Sequence, residues 1–288
     1  LDQTAAADRL GRESREAGLE RALTFLVARR RGQRDDRDPD PAAAEFGHTH
    51  AAWDKVLKRF VDDDGMVNYR KLKHDRTAGL DAYLKALAEI PEAELKDWSR
   101  AQLLALYINA YTVKAILDHY PIEATGVSRL RFPNNSIRQI DGVWKKHKHV
   151  VAGQRLTLDA MEHKKLREQL QEPRIHFAIV CASIGCPKLA RHAFTADALD
   201  KQLDAATRRF VNDPDKVRLD RGDGVLHLSR IFKWFSGDFK DTPDADEYDG
   251  NGVIAFVARY RPKADAAILR SRDIDVEYLD YDWSLNEQ

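Results

Sequence analysis

Apolar residues recur at helical spacing through the first half of the chain. In HAAWDKVLKRFV, Trp53, Val56, Leu57 and Phe60 share one face of an amphipathic helix. DDDGMVNYRKL then reads as a turn into a short extended piece. Leu80, Tyr83, Leu84 and Leu87 define a second helical face, with Thr77 as candidate N-cap and Pro91 just beyond. SRAQLLALYINAYTVKAILDHYP predicts the strongest helix, capped by Ser99 and followed by Pro121. Its apolar residues cover nearly the whole circumference, which predicts a central buried helix.

The second half mixes periods. HVVAGQRLTL reads as two short strands around Ala152-Gly153-Gln154, and DAMEHKKLREQL as a helix with Asp159 at the N-cap and Glu162 three residues on. RIHFAIV, rich in branched and aromatic residues, reads as a strand, and Pro187 marks a helix restart in CPKLARHAF. TADALDKQLDAATRRFVND is an amphipathic helix, and VRLDRGDGVLHLS a hairpin turning at Asp220 to Gly224. IFKWFSGDF, GVIAFVARY and a terminal strand in VEYLDYDWSLN close the chain. Helices crowd the front and strands the back. The expected fold is therefore α+β: a central buried helix packed against a mixed or antiparallel sheet in one compact domain, residues 48–288. Residues 1–47 read as a flexible charged arm, because RRRGQRDDRDPDPAAAEFG combines dense charge with two prolines.

Composition narrows the partners. Lys plus Arg and Asp plus Glu each total 47 in 288 residues, so no basic excess points to nucleic acid, and the expected partner is an unknown small molecule or peptide. No run approaches the ~20 apolar residues of a transmembrane helix. The expectation is a soluble protein, cytoplasmic or exported with a signal segment outside this chain. Two cysteines, Cys181 and Cys186, exclude a disulfide framework but permit one local bridge. No zinc-finger, H-E-x-x-H, EF-hand or P-loop pattern occurs, so neither metal nor cofactor is expected.

Six strings stand in one order: WDKVLKRFVDDDGMVNYRKL, LYINAYTVKAILDHYP, LTLDAMEHKKLR, PRIHFAIVCASIGCPKL, LSRIFKWFSGDF and YLDYDWSLN. Together they resemble bacterial members of the family called domain of unknown function 547, over roughly residues 47 to 286. Thr112-Val113 departs from the family's usual Asn-Ala after the tyrosine. The resemblance makes Cys181 a candidate functional thiol.

Three readings of Cys181 stand side by side: a nucleophile, a packed core thiol, or half of a bridge to Cys186. As a nucleophile it would sit at the end of the RIHFAIV strand. The small residues after it would turn backbone N–H groups toward an oxyanion, and the helix from Pro187 would lower its pKa. His176 lies five residues upstream, about 16 Å along an extended strand and on the opposite face, so His163 is the preferred base. Asn109, or Glu162, would orient that imidazole, although Asn109 also suits a structural tie and Glu162 a capping role. His176, Ser183 and Tyr111 are candidate binding residues. The activity expected is a cysteine-dependent hydrolase or acyltransferase acting on an amide or thioester. The alternative is a non-catalytic protein- or ligand-binding module, in which Cys181 packs and Trp234-Phe235 with Tyr278 to Trp283 form a recognition surface, most of these aromatics being core in either case.

Overall fold

The computed structural model describes residues 46–75, 79–117, 122, 126–271 and 273–288. The expected arm, apart from Phe46 and Gly47, and the Thr77 cap lie outside them. Helix α1 (Ala51–Phe60) buries Trp53, Val56, Leu57 and Phe60, the face its periodicity marks. A short α2 (Tyr69–His74) follows, and α3 (Leu80–Glu89) meets α1 where Trp53 and Tyr83 stack at 6.2 Å. Helix α4 (Arg100–Leu117) begins with a capping box: Gln102 N–H donates to Ser99 Oγ at 3.2 Å and Ser99 N–H to Gln102 Oε1 at 2.8 Å. Every residue from Leu104 to Val113 is buried.

Strands β1 (His149–Val151) and β2 (Gln154–Leu156) form a small antiparallel hairpin. Its turn places Ala152 (φ 49) and Gly153 (φ 70) in the left-handed region that tight hairpins require. The turn docks on α3, with Ala152 N–H donating to the Leu87 carbonyl at 2.7 Å. Ala160–Gln169 is a π-helix, closed by Leu170 N–H to the Lys165 carbonyl. Asp159 makes no side-chain cap to it; Thr157 Oγ1 accepts Ala160 N–H instead.

RIHFAIV is not a strand. Pro173–Phe177 is a 3₁₀ turn, and the segment to Val180 runs on irregularly with Ile175 through Val180 all buried. An apolar run buried on every side looks the same in sequence whichever backbone it takes. CPKLARHAF likewise forms no helix. It is an irregular crossing tied down by side chains: Asn109 to Phe194, and Asp54 Oδ1 accepting Ala193 N–H at 3.1 Å.

Helix α5 (Leu199–Val211) leads into β3 (Val217–Asp220) and β4 (Val225–Leu228), antiparallel with Val217 opposite Leu228. After α6 (Arg230–Trp234) come α7 (Gly252–Tyr260) and α8 (Lys263–Ser271), and β5 (Asp275–Tyr278) adds to β4 in parallel. GVIAFVARY is thus helix α7, capped by Asn251 Oδ1, which accepts Val253 and Ile254 N–H at 3.1 Å. The fold is α+β, with helix far outweighing strand. From Phe46 to Gln288 the chain is one compact unit with two apolar clusters. One surrounds α4, whose main neighbours are the π-helix and the turn at Ala196–Ala198; the other joins α5, α7 and the mixed sheet.

Candidate functional site

The loop from Cys181 to Cys186 turns at Ala182, a buried residue at φ 62. A left-handed alanine costs about 1–2 kcal/mol, so surrounding contacts must hold it. The C-terminal tail does this: Ile184 N–H donates to the Ser284 carbonyl at 2.8 Å and Gly185 N–H to the Asp282 carbonyl at 2.7 Å. Gly185 is required by close approach, since a Cβ there would lie 2.6 Å from Tyr281 Cε1. The loop brings the two free cysteines together, Sγ to Sγ 2.7 Å.

Cys186 Sγ accepts the Cys181 N–H at 3.1 Å and the Tyr281 hydroxyl at 3.2 Å, with Ser183 Oγ at 3.3 Å. Burial pushes the Cys186 thiol up, but its hydrogen bonds from Cys181, Ser183 and Tyr281 overcome this and hold it at about 6. Cys181 moves the other way, because the bond to Cys186 and burial both push its thiol well above the ordinary value. Near neutral pH the two sulfurs therefore share one proton.

This differs from the sequence expectation of a lowered Cys181. No helix begins at Pro187, and among the described residues no imidazole hydrogen-bonds Cys181 Sγ. Part of the expected amide cradle is spent. The N–H groups of Ile184, Gly185 and Cys186 already serve the Ser284, Asp282 and Ser183 carbonyls. The hydroxyls of Ser183 and Tyr281, 3.0 Å apart, lie beside the sulfurs together with the Cys181 N–H.

Both cysteines line a mostly apolar cavity of about 140 Å³ together with Tyr111, Glu162 and His176. Its remaining wall is largely aromatic: Trp144, Trp234, Phe235, Tyr281 and Trp283. Of the aromatics expected to be mostly core, Phe235, Tyr278, Tyr281 and Trp283 are half-buried and Trp234 is 45% exposed. The π-helix supplies Glu162, which accepts the Tyr111 hydroxyl at 3.1 Å. Burial raises this carboxyl to about 7 against the opposing pull of Tyr111 and Arg167. Its neighbour His163 lies elsewhere. It does not line the cavity, is 39% exposed, accepts a hydrogen bond from Arg167 at Nδ1 and faces Asp159 at 3.7 Å.

His176 does line the cavity, because the 3₁₀ turn removes the strand geometry that would have set it and Cys181 on opposite faces. Its ring stacks on Phe235 at 4.1 Å and its Nε2 bonds Asp238 Oδ2 at 2.7 Å. Arg167 clamps the same carboxylate through Nε at 2.5 Å and Nη2 at 2.7 Å. Burial lowers the His176 pKa more than Asp238 raises it, so the ring is neutral at pH 7. Burial also pushes Asp238 up, but His176 and Arg167 prevail and hold it well below the usual range. Nothing in the local sequence marks Asp238 as a partner of His176.

Asn109 is outside the cavity. Its Nδ2 donates to the Phe194 carbonyl at 2.8 Å and its Oδ1 accepts Phe194 N–H at 3.0 Å, so both ends of the amide serve backbone. A larger open groove of about 900 Å³ borders Asp238, lined by charged side chains including Arg174, Arg208 and Arg259, but no thiol reaches it.

Both cysteines, the π-helix and His176 fall in the stretch that decides the comparison with known families. Residues 95–211 match the family model described as Protein of unknown function, DUF547. The DUF547 match runs from just before α4 to the last residue of α5. It includes Tyr111, Glu162, His176 and the cysteine loop, whereas Asp238, Tyr281 and Trp283 come from outside it. The strings WDKVLKRFV, LSRIFKWFSGDF and YLDYDWSLN also lie beyond the matched residues. No curated protein and no solved structure matches the chain.

Proposed function

We propose that the cavity carries out thiol-dependent acyl transfer or hydrolysis on an amide or thioester. One observation carries this: two sulfurs sharing a proton open onto the same cavity as a neutral imidazole and a carboxyl of near-neutral pKa. Cys181, the more accessible sulfur, attacks the acyl carbon while Cys186 holds its proton. Glu162, protonated in part of the molecules at pH 7, donates to the departing amine or thiol. His176 then takes a proton from water or an acceptor nucleophile, with Asp238 steadying the imidazolium. The acyl group leaves on that oxygen or nitrogen, Cys181 recovers a proton from Cys186, and His176 returns one to Glu162. His176 thus takes the part that spacing alone would assign to His163. The hydroxyls of Tyr281 and Ser183 are the donors for the developing oxyanion.

The test is intact-protein mass spectrometry after exposure to a p-nitrophenyl ester. One acyl group on Cys181, absent in Cys181→Ser, is the expected result. An unmodified wild-type protein under conditions that acylate a small thiol would leave the binding-module alternative. The short sulfur separation also favours a second reading, dithiol–disulfide exchange. There Cys181 attacks a substrate disulfide and Cys186 resolves the mixed disulfide, so the substrate leaves with two electrons. Loss of two hydrogens from the protein on treatment with a disulfide, with no acylation by the ester, would select it.

A further inference from the structure

Arg138 also lines the thiol cavity. Its guanidinium carbon lies 4.5 Å from the ring centre of Phe132, 4.8 Å from that of Trp283 and 5.6 Å from that of Trp144. Among the described residues no carboxylate pairs with it and its guanidinium makes no hydrogen bond. The five N–H donors of an arginine are therefore unspent here, in contrast to Arg167, which is committed to Asp238.

Arg138 is exposed, but the backbone beneath it is fixed. It sits in the short 3₁₀ turn Ile137–Gln139, where its own N–H donates to Ser136 Oγ at 3.1 Å. The next residue, Gln139, is buried and fastened on both amide ends, donating to the Phe132 and Pro133 carbonyls at 3.0 Å and accepting from Ser128 Oγ at 2.8 Å. Two ring contacts lead from the guanidinium to the sulfurs: Trp283 touches Tyr281 at 4.5 Å between centres, and the Tyr281 hydroxyl is 3.2 Å from Cys186 Sγ. Aromatic rings attract the cation without consuming its hydrogen-bond donors, which leaves a planar fork suited to a carboxylate.

We propose that Arg138 in its aromatic cage binds a carboxylate of the substrate, so that the acyl donor is anionic, with its carboxylate at the cavity wall and its reacting carbonyl at Cys181. This rests on the acyl-transfer reading for the carbonyl end, while the carboxylate site stands on the cage itself. An arginine–carboxylate contact also gives orientation: it fixes the substrate from one end while the apolar wall accepts the rest.

The test compares alkylation of Cys181 by iodoacetate and by iodoacetamide at low ionic strength, with Cys181 read by peptide mass mapping. The ratio of the iodoacetate rate to the iodoacetamide rate should fall about tenfold or more in Arg138→Met. Arg138→Gln should give the same fall. A ratio that neither substitution alters would overturn the site. Binding of propionate against propionamide by titration calorimetry is independent of thiol reactivity. Wild type should bind propionate more tightly than propionamide, and Arg138→Met should not. Equal affinity of wild type for both would overturn the carboxylate site, whereas propionate selectivity with an inert Cys181 would overturn only the acyl-transfer reading.

Discussion

At the scale of single residues, the chemistry turns on how protons are distributed among buried groups. Cys186 collects the hydrogen bonds that stabilise a thiolate, and Cys181 takes the cavity side. Alkylation of Cys181 by iodoacetamide should therefore titrate with the pair, near the value of about 6 held by Cys186. Cys186→Ser should move that midpoint up to at least the ~8.5 of a free thiol. An unmoved midpoint in pH-dependent rates would show the sulfurs to be independent. Glu162 makes a second prediction, on stability. Its folded pKa of about 7 lies above the ordinary 4.5, so between those pH values the folded protein keeps a proton that the unfolded chain has lost. Its contribution is full below pH 4.5 and is lost as pH rises through 7, by at most about 3 kcal/mol. Cys186 runs the opposite way, favouring the fold increasingly above pH 6. Urea denaturation of Glu162→Gln should lack the decline between pH 4.5 and 7, and a slope equal to wild type would mean that the carboxyl is not raised. Cys181, Glu162, His176, Ser183 and Tyr111 were all legible as candidates because their residue types carry proton or nucleophile chemistry. Asp238 was not, since it meets His176 across 62 residues of chain.

At the scale of elements, the site depends on irregular backbone. The π-helix widens the turn around Glu162 and Arg167, so that one lines the cavity while the other reaches Asp238. The Asp159–Glu162 capping pattern pointed to that helix, although Asp159 makes no cap to it, and carried no sign of its wider pitch. The cysteine loop is similarly specified by what lies against it. Gly185→Ala would drive Tyr281 off the loop, because the new methyl and the ring cannot occupy the same space. The expected outcome is a folded protein whose Cys181 alkylation midpoint rises as Cys186 loses the Tyr281 hydroxyl. Unchanged titration together with unchanged stability would show that the ring yields without cost. The small residues after Cys181 were readable as a tight turn; that the glycine answers to Tyr281 was not, because the ring arrives from 96 positions later in the numbering.

At the scale of the whole molecule, the C-terminal tail ties distant parts of the chain together. Leu285 bridges to Ser183 and Glu287 to Val67, while Asn286 Oδ1 accepts the buried Tyr69 hydroxyl at 2.6 Å. Tyr69→Phe leaves that oxygen without its donor in a dry setting, and should cost about 1–3 kcal/mol in urea denaturation with the slope unchanged. An unshifted midpoint would mean that water replaces the bond.

The amino-acid sequence by itself determined the amphipathic helices α1, α3 and α5, the buried α4 with its Ser99 cap, both hairpins and the α+β class. Each of these is written in local periodicity or in a cap or turn within a few residues. Only the tertiary structure decided that RIHFAIV is not a strand, that His176 rather than His163 lines the cavity, and that Asn109 serves the Phe194 backbone. Apolar runs buried on all sides carry no period that separates strand from coil. A site assembled from the π-helix, a 3₁₀ turn, the cysteine loop and the C-terminal tail is set by which surfaces pack together, and no local pattern encodes such long-range contacts.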